Sequence, residues 1–173
     1  CFQKDILNLV YLCKYFGLNE VAEYWHQVIK INDYQKERFA RKIINHFGGD
    51  LRDLNIAIFG WSFKANTNDT RESAAIYISE YFYTAGANLV IYDPQVVEEK
   101  IINDINAYWS KKLKKVDFSN RISIMKSTFE LKDIDAYAIL TEWDEFKNFD
   151  YSDSFVFDGR NILNNNNVIS IGK

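Results

Sequence analysis

The period of the apolar pattern changes at Gly48-Gly49. Before that pair, from Ile6 to Phe47, apolar residues recur at helical spacing with no proline. After Leu51 they gather into short runs: Asn55-Ile-Ala-Ile-Phe-Gly60, Asn88-Leu-Val-Ile-Tyr-Asp-Pro94, Ile122-Ser-Ile124, Ala136-Tyr-Ala-Ile-Leu-Thr141 and Phe155-Val-Phe-Asp158. Runs of that length, apolar on both faces, are strands covered on both sides. Between the first two lies Ser73 to Ala85, with Ala74, Ile78, Phe82 and Ala85 on one helical face and Gly86 closing it. Strand, helix, strand at this spacing is a right-handed parallel crossover. Residues 50–173 are therefore expected to form a doubly wound α/β domain of about five parallel strands.

Residues 1–49 are expected to be helical. A first helix aligns Ile6, Leu9, Val10, Cys13 and Phe16 and stops at Gly17. Asn19 caps a second helix that runs through Val21, Trp25, Val28, Asn32, Gln35, Phe39 and Ile43 to Phe47. About 30 residues of helix measure roughly 40 Å, more than a small domain is wide. Such a helix either lies across its own domain or is covered by another subunit or domain. Asn103 to Asn120, charged and weakly patterned, reads as a surface excursion, and the asparagine-rich 161–167 as a loop before the short Val168–Ile171 segment.

Composition narrows the function classes. The net charge of −3 does not attract nucleic acid or an anionic membrane. No apolar run approaches bilayer length, and Lys4 and Asp5 break any signal-peptide reading, so a cytosolic protein is expected. Two cysteines, at 1 and 13, make no disulfide framework. The aromatic content of 16% points to core and interface packing, because no basic groove accompanies it.

In an open parallel sheet the ligand crevice lies beyond the carboxyl ends of the strands. The residues there are Ser62, Phe63 and Lys64, then Asp93, then Thr141 and Glu142, then Asp158, Gly159 and Arg160. Lys64 and Arg160 converge on one edge, and Arg71 stands near a helix start, where free N–H groups also favour anions. A phosphate-bearing ligand suits that edge; solvated loop charges are the plainer reading of Lys64 and Arg71. The dinucleotide fingerprint is absent: Gly60-Trp-Ser-Phe-Lys64 has no further glycine, and Asp93 comes 33 positions after Gly60, where about 20 is usual. Cys1, followed by Lys4 at i+3 and Asp5 at i+4, is either a small buried apolar residue or an activated thiol with a carboxylate beside it.

Cys-Phe-Gln-Lys-Asp (1–5), Gly-Trp-Ser-Phe-Lys (60–64), Asn-Asp-Thr-Arg-Glu-Ser (68–73), Tyr-Asp-Pro (92–94), Thr-Glu-Trp-Asp-Glu-Phe (141–146) and Phe-Asp-Gly-Arg (157–160) occur in that order. Six motifs in register closely resemble the UDP-glucose/GDP-mannose dehydrogenase family, the UDP-glucose 6-dehydrogenases above all, over essentially the whole chain. The resemblance implies a helical central region that builds a dimer through the long helix 19–47, followed by a Rossmann-like UDP-sugar-binding domain. An NAD-binding domain, with its glycine-rich fingerprint, would lie upstream. It implies oxidation of UDP-glucose to UDP-glucuronate by two hydride transfers to NAD. Cys1 would be the nucleophile that captures the aldehyde, and Asp5 would help activate the hydrolytic water. Cys1, Phe2, Gln3, Lys4 and Arg71 would contact NAD, and Phe63, Lys64 and Arg160 would hold the UDP-sugar. No metal is implied.

The family's catalytic glutamate, threonine, lysine and asparagine all precede the cysteine motif, so the chain alone is expected to be inactive. Trp61-Ser62 departs from the small apolar residues common in the family. GDP-mannose or another nucleotide sugar remains an alternative substrate. Two rivals belong to other classes. An N-terminal-nucleophile hydrolase would begin with a strand, whereas Cys1 leads into helical periodicity. A non-catalytic UDP-sugar-binding or dimerisation module would be encoded at this length, yet Met125 is the only methionine.

Overall fold

The structure, a computed structural model, describes residues 2–109, 118–151, 154–164 and 168–172. It divides into two compact units, residues 1–38 and 39–173, each treated by itself.

The first unit holds α1 (Phe2–Tyr15) and most of α2 (Asn19–His46). Gly17 adopts φ 75°, the left-handed turn that ends α1, and its neighbour Leu18 donates to the Cys13 carbonyl at 2.8 Å. Val10, Cys13 and Ala22 are buried, with Ile6, Leu9 and Trp25 packed around them. Cys13 is a buried free thiol. Phe16, expected on the buried face, is 70% exposed, because the α1 stripe ends where the chain turns. Leu7, Tyr11, Leu12, Tyr15, Leu18, Val21, Tyr24, Ile31 and Tyr34 are exposed as well. The unit thus buries a narrow seam and leaves much apolar surface to solvent.

The second unit is a six-stranded sheet in the order β3-β2-β1-β4-β5-β6, every pairing parallel. The strands are β1 (Asn55–Phe59), β2 (Asn88–Tyr92), β3 (Ile122–Met125), β4 (Ala136–Ile139), β5 (Phe155–Asp158) and β6 (Val168–Ser170). The expected α/β, doubly wound, Rossmann-like parallel sheet preceded by a helical segment is the fold observed. The sixth strand comes from Val168–Ser170, three residues too short to read as a strand from pattern alone. Strand alternation sorts the core into two layers. Ile56, Ile58, Leu89, Ile91, Ala136, Ala138 and Phe157 face one side. There they meet Phe39, Ala40 and Ile43 of α2, α3 (Ala74–Thr84) and α4 (Glu98–Trp109). Ala57, Phe59, Tyr92, Tyr137, Ile139 and Val156 face the other.

Among the described residues, the four-residue α6 (Asp144–Lys147) lies over that second face, and aromatic rings with Leu131, Ile134, Ile162 and Leu163 add to the cover. Phe59 stacks on Phe146 at 4.5 Å and meets Phe149 and Tyr137 edge-on at 5.0 and 5.1 Å. Such pairs add about 0.5–1.5 kcal/mol each beyond burial. The region 103–120 needs correction. Its first part belongs to α4, whose Ile101, Ile105 and Trp109 recur every four residues and are buried. Asp104 is buried too, accepting from the Trp61 indole at 3.1 Å, so its charge hid a core position. Residues 118–121 form the short α5, and 110–117 lie outside the described residues.

Candidate functional site

Strand order reverses direction at β1, whose crossovers lead outward to β2 and β3 on one side while β4, β5 and β6 extend on the other. The loops after β1 and β4 therefore part at the carboxyl ends of neighbouring strands, the usual place for a ligand crevice. Gly60, the first residue past β1, has φ 95°, and a Cβ there would lie 2.3 Å from the Thr141 Cβ. Only glycine permits the β4 loop to come so close.

From Gly60 the loop is fastened almost residue by residue. Trp61 N–H and Ser62 N–H donate to one oxygen of buried Asp93 at 2.7 and 3.0 Å, and Ser62 Oγ at 3.1 Å. Trp143 Nε1 reaches the same oxygen at 3.3 Å, and Gln95 N–H and Val96 N–H occupy the other. The Ser62 carbonyl accepts from Thr141 Oγ1 at 2.6 Å and from Ser73 Oγ at 3.3 Å. Phe63 N–H donates to the Asp69 carbonyl at 2.9 Å, and the Phe63 carbonyl accepts from Arg160 Nη2 at 2.9 Å.

This wiring bears on the missing fingerprint. A dinucleotide diphosphate binds to outward-pointing amides after the first strand, with an acidic residue at the end of the second strand for the ribose. Here the amides of Trp61 and Ser62 point inward to Asp93 and occupy it. The Trp61 side chain is fully buried, its indole N–H on Asp104. Those two amides are therefore not available to a dinucleotide diphosphate.

What the edge does offer is positive. Arg160 donates Nε to Glu142 at 2.7 Å and Nη2 to the Phe63 carbonyl, and both side chains of the pair stay about one-third exposed. Lys64 is exposed, its ammonium 5.5 Å from the centre of the Phe63 ring. Asp158, fully buried, accepts from Arg160 N–H and Leu163 N–H at 2.8 Å each and so shapes the loop that carries Arg160. The structure thus brings Phe63, Lys64 and Arg160 together across the ends of β1 and β5.

Arg71 lies on the same connection, before α3, and forks onto Asp69 at 2.6 and 2.9 Å. The guanidinium hydrogen bonds lower the Asp69 pKa to about 2. Glu72 has φ 58°, a left-handed turn beside Arg71, and accepts from Tyr77 Oη at 2.6 Å. Phe2, Gln3, Lys4 and Asp5 occupy the first turn of α1 in the other unit, with Lys4 and Asp5 exposed. Cys1 lies outside the described residues. Among the described residues, no group of three or more His, Cys, Asp or Glu side chains could hold a metal ion. No helix among them is long and apolar enough to cross a membrane.

Sequence reasoning did not assign roles to Gly60, Asp93, Thr141 or Glu142. Three of them stood among the strand-end residues, but a loop of side chains bonded to one another leaves no periodic signature.

Comparison with known proteins bears on the family of the chain. UDP-glucose 6-dehydrogenase 4 of Arabidopsis thaliana is 45% identical over 99% of this chain and 39% of its own length. UDP-glucose 6-dehydrogenase of Bos taurus is 46% identical over 99% of this chain and 37% of its own length. The chain thus spans less than two fifths of either relative. In fold it resembles a UDP-glucose dehydrogenase from the hyperthermophilic archaeon Pyrobaculum islandicum, with a TM-score of 0.70 at 24% identity, covering 94% of this chain and 34% of that one. Residues 57–165, which contain the whole crevice edge, match the UDP binding domain of the UDP-glucose/GDP-mannose dehydrogenase family, and the chain belongs to that family.

Proposed function

We propose that the chain is the C-terminal part of an NAD-dependent UDP-glucose 6-dehydrogenase of the cytosol. In this reading residues 50–173 bind the UDP-sugar and residues 1–49 supply the cysteine segment and part of a dimer interface. The observation that carries it is the meeting of Phe63, Lys64 and Arg160 at the carboxyl edge of the sheet, inside the stretch that matches a UDP binding domain. A diphosphate between a uridine and a sugar carries two negative charges, and an ammonium and a guanidinium there supply the donors such a group takes. The Phe63 ring adds an apolar wall beside them.

The chemistry follows from residue types. The Cys1 thiolate attacks the sugar aldehyde to form a thiohemiacetal, which loses hydride to become a thioester. Water, activated by Asp5, then hydrolyses the thioester to release UDP-glucuronate and restore the thiol. NAD, when bound, takes up the hydride lost at each oxidation. Phe2, Gln3 and Lys4, at the start of α1, would contact it, as would Arg71, and most of its binding would fall to residues other than these. The inward-facing amides after β1 support that division of labour, since they are not available to a dinucleotide diphosphate.

The exposed apolar face of the first unit supports self-association. Tyr24, Ile31 and Tyr34 are exposed at spacings of seven and three along α2, one side of a helix that an identical partner can cover.

Replacing Cys1 with Ser in the full-length protein tests the reading. The variant is expected to bind UDP-glucose and form no UDP-glucuronate; unchanged UDP-glucuronate formation would rule out the cysteine as nucleophile. The 173-residue chain alone is expected to bind UDP and reduce no NAD.

A further inference from the structure

Glu142 has no role in the reading above, yet it touches two of the loops that form the crevice edge. One carboxylate oxygen accepts from Arg160 Nε at 2.7 Å, and the other accepts a longer hydrogen bond from the Ala65 N–H at 3.4 Å. Ala65 follows Lys64, and Arg160 also donates to the Phe63 carbonyl. One carboxylate on the loop after β4 therefore ties the lysine-bearing loop after β1 to the arginine-bearing loop after β5.

We propose that Glu142 is a positioning residue for the diphosphate of the UDP-sugar, acting through Arg160. A free arginine samples many rotamers, and ordering it on ligand binding costs affinity. With Nε held by Glu142 and one Nη2 hydrogen on the Phe63 carbonyl, the guanidinium plane is set before any ligand arrives, and its other N–H groups remain to donate. The carboxylate also leaves the edge with one net positive charge from Lys64, Arg160 and Glu142 together. A ligand gains from that edge by geometry as well as by charge, and a wrongly placed anion gains less. The inference rests on the reading of this edge as a UDP-sugar site.

The test is calorimetric titration of UDP into the full-length protein, wild type against Glu142→Gln, each in the native and the Arg160→Ala background. Glutamine keeps the size and an oxygen for Ala65 but loses the ionic bond to Arg160. Glu142→Gln is expected to weaken UDP about three- to fivefold and to have no such effect once Arg160 is gone. In turnover, KM for UDP-glucose should rise while kcat holds, with the thermal midpoint unmoved. Glu142→Asp, too short to span both partners, should fall between. Equal or tighter UDP binding by Glu142→Gln would overturn the proposal and make the carboxylate an opponent of the ligand. An equal loss in the Arg160→Ala background, or a fall in stability with kcat and affinity together, would overturn it too. Failure of the wild type to bind UDP would instead remove the underlying reading, and this inference with it.

Discussion

Asp93 shows how one side chain can fix the course of several loops at once. Its two oxygens accept from six donors on three loops, and it is 6% exposed. Replacing it with Asn presents an amide N–H₂ to donors and leaves buried N–H groups unpaired, a loss of about 2–4 kcal/mol. Urea unfolding of Asp93→Asn is expected to show that drop. A change below about 0.5 kcal/mol, the range of an ordinary surface substitution, would mean the loop does not depend on the carboxylate. Asp69 makes a prediction of opposite emphasis. Its pKa falls from 3.8 to about 2 because Arg71 hydrogen-bonds the ionised form. A depressed carboxylate stabilises the fold above its unfolded pKa and loses that contribution as pH falls through the folded one. The contribution is thus full above pH 4, gone below about pH 2, and Arg71 stays tethered throughout the neutral range. Carboxyl NMR of Asp69 should titrate near 2; a value near 4 would mean the fork is not maintained in solution. Both aspartates were visible as sequence letters. Their roles were not, because each acts on amides whose direction depends on the backbone turns around them.

The elements were far more legible than these bonds. Helix and strand periods changed where the structure changes, and the glycines at 17, 60 and 86 mark real left-handed turns. Besides Phe16, two places failed, each for a physical reason. Asp104 looked exposed because it is charged, but it accepts from the buried Trp61 indole and pairs with Lys100. β6 was missed because its three residues gain their pairing from β5 and have little pattern of their own. Gly60 carries the prediction at this scale. Alanine there would meet Thr141 well inside contact distance and would sit at φ 95°, so the loops after β1 and β4 must part. Gly60→Ala is expected to cost about 2–4 kcal/mol and to weaken UDP binding at the same time; normal stability would mean the close approach is dispensable. On α2, Ile31→Glu places a charge in the proposed self-association stripe. Sedimentation of the full-length protein should show dissociation toward monomer, and an unchanged oligomer would move the interface elsewhere.

At the scale of the molecule, the aromatic layer is the feature that composition announced and pattern could not place. Burial raises the pKa of Tyr92, Tyr137 and Tyr151, aided by Glu145 at Tyr92, Asp150 at Tyr137 and Asp158 at Tyr151. A phenol with a raised folded pKa supports the fold fully below its unfolded value near 10, and the support is lost as pH climbs toward the folded value. Stability should therefore fall steeply above pH 10, with tyrosinate absorbance rising together with unfolding; independent ionisation of all eleven tyrosines near pH 10 would contradict a sealed layer. The six motifs in register made the family legible at once, and five of them, from Gly60 on, lie at or after the ends of strands in one sheet. The direction of the amides after β1 needed the structure, because the Trp61 and Ser62 N–H groups turn inward to Asp93 and no pattern in the sequence says so.

The central claim is that the crevice edge formed by Phe63, Lys64 and Arg160 receives the UDP-sugar. A crystal structure of the full-length protein with UDP-glucose tests it most directly. The diphosphate is expected within hydrogen-bonding reach of Lys64 and Arg160, with Glu142 still on Arg160; a nucleotide sugar bound away from the carboxyl ends of β1 and β5 would contradict the account.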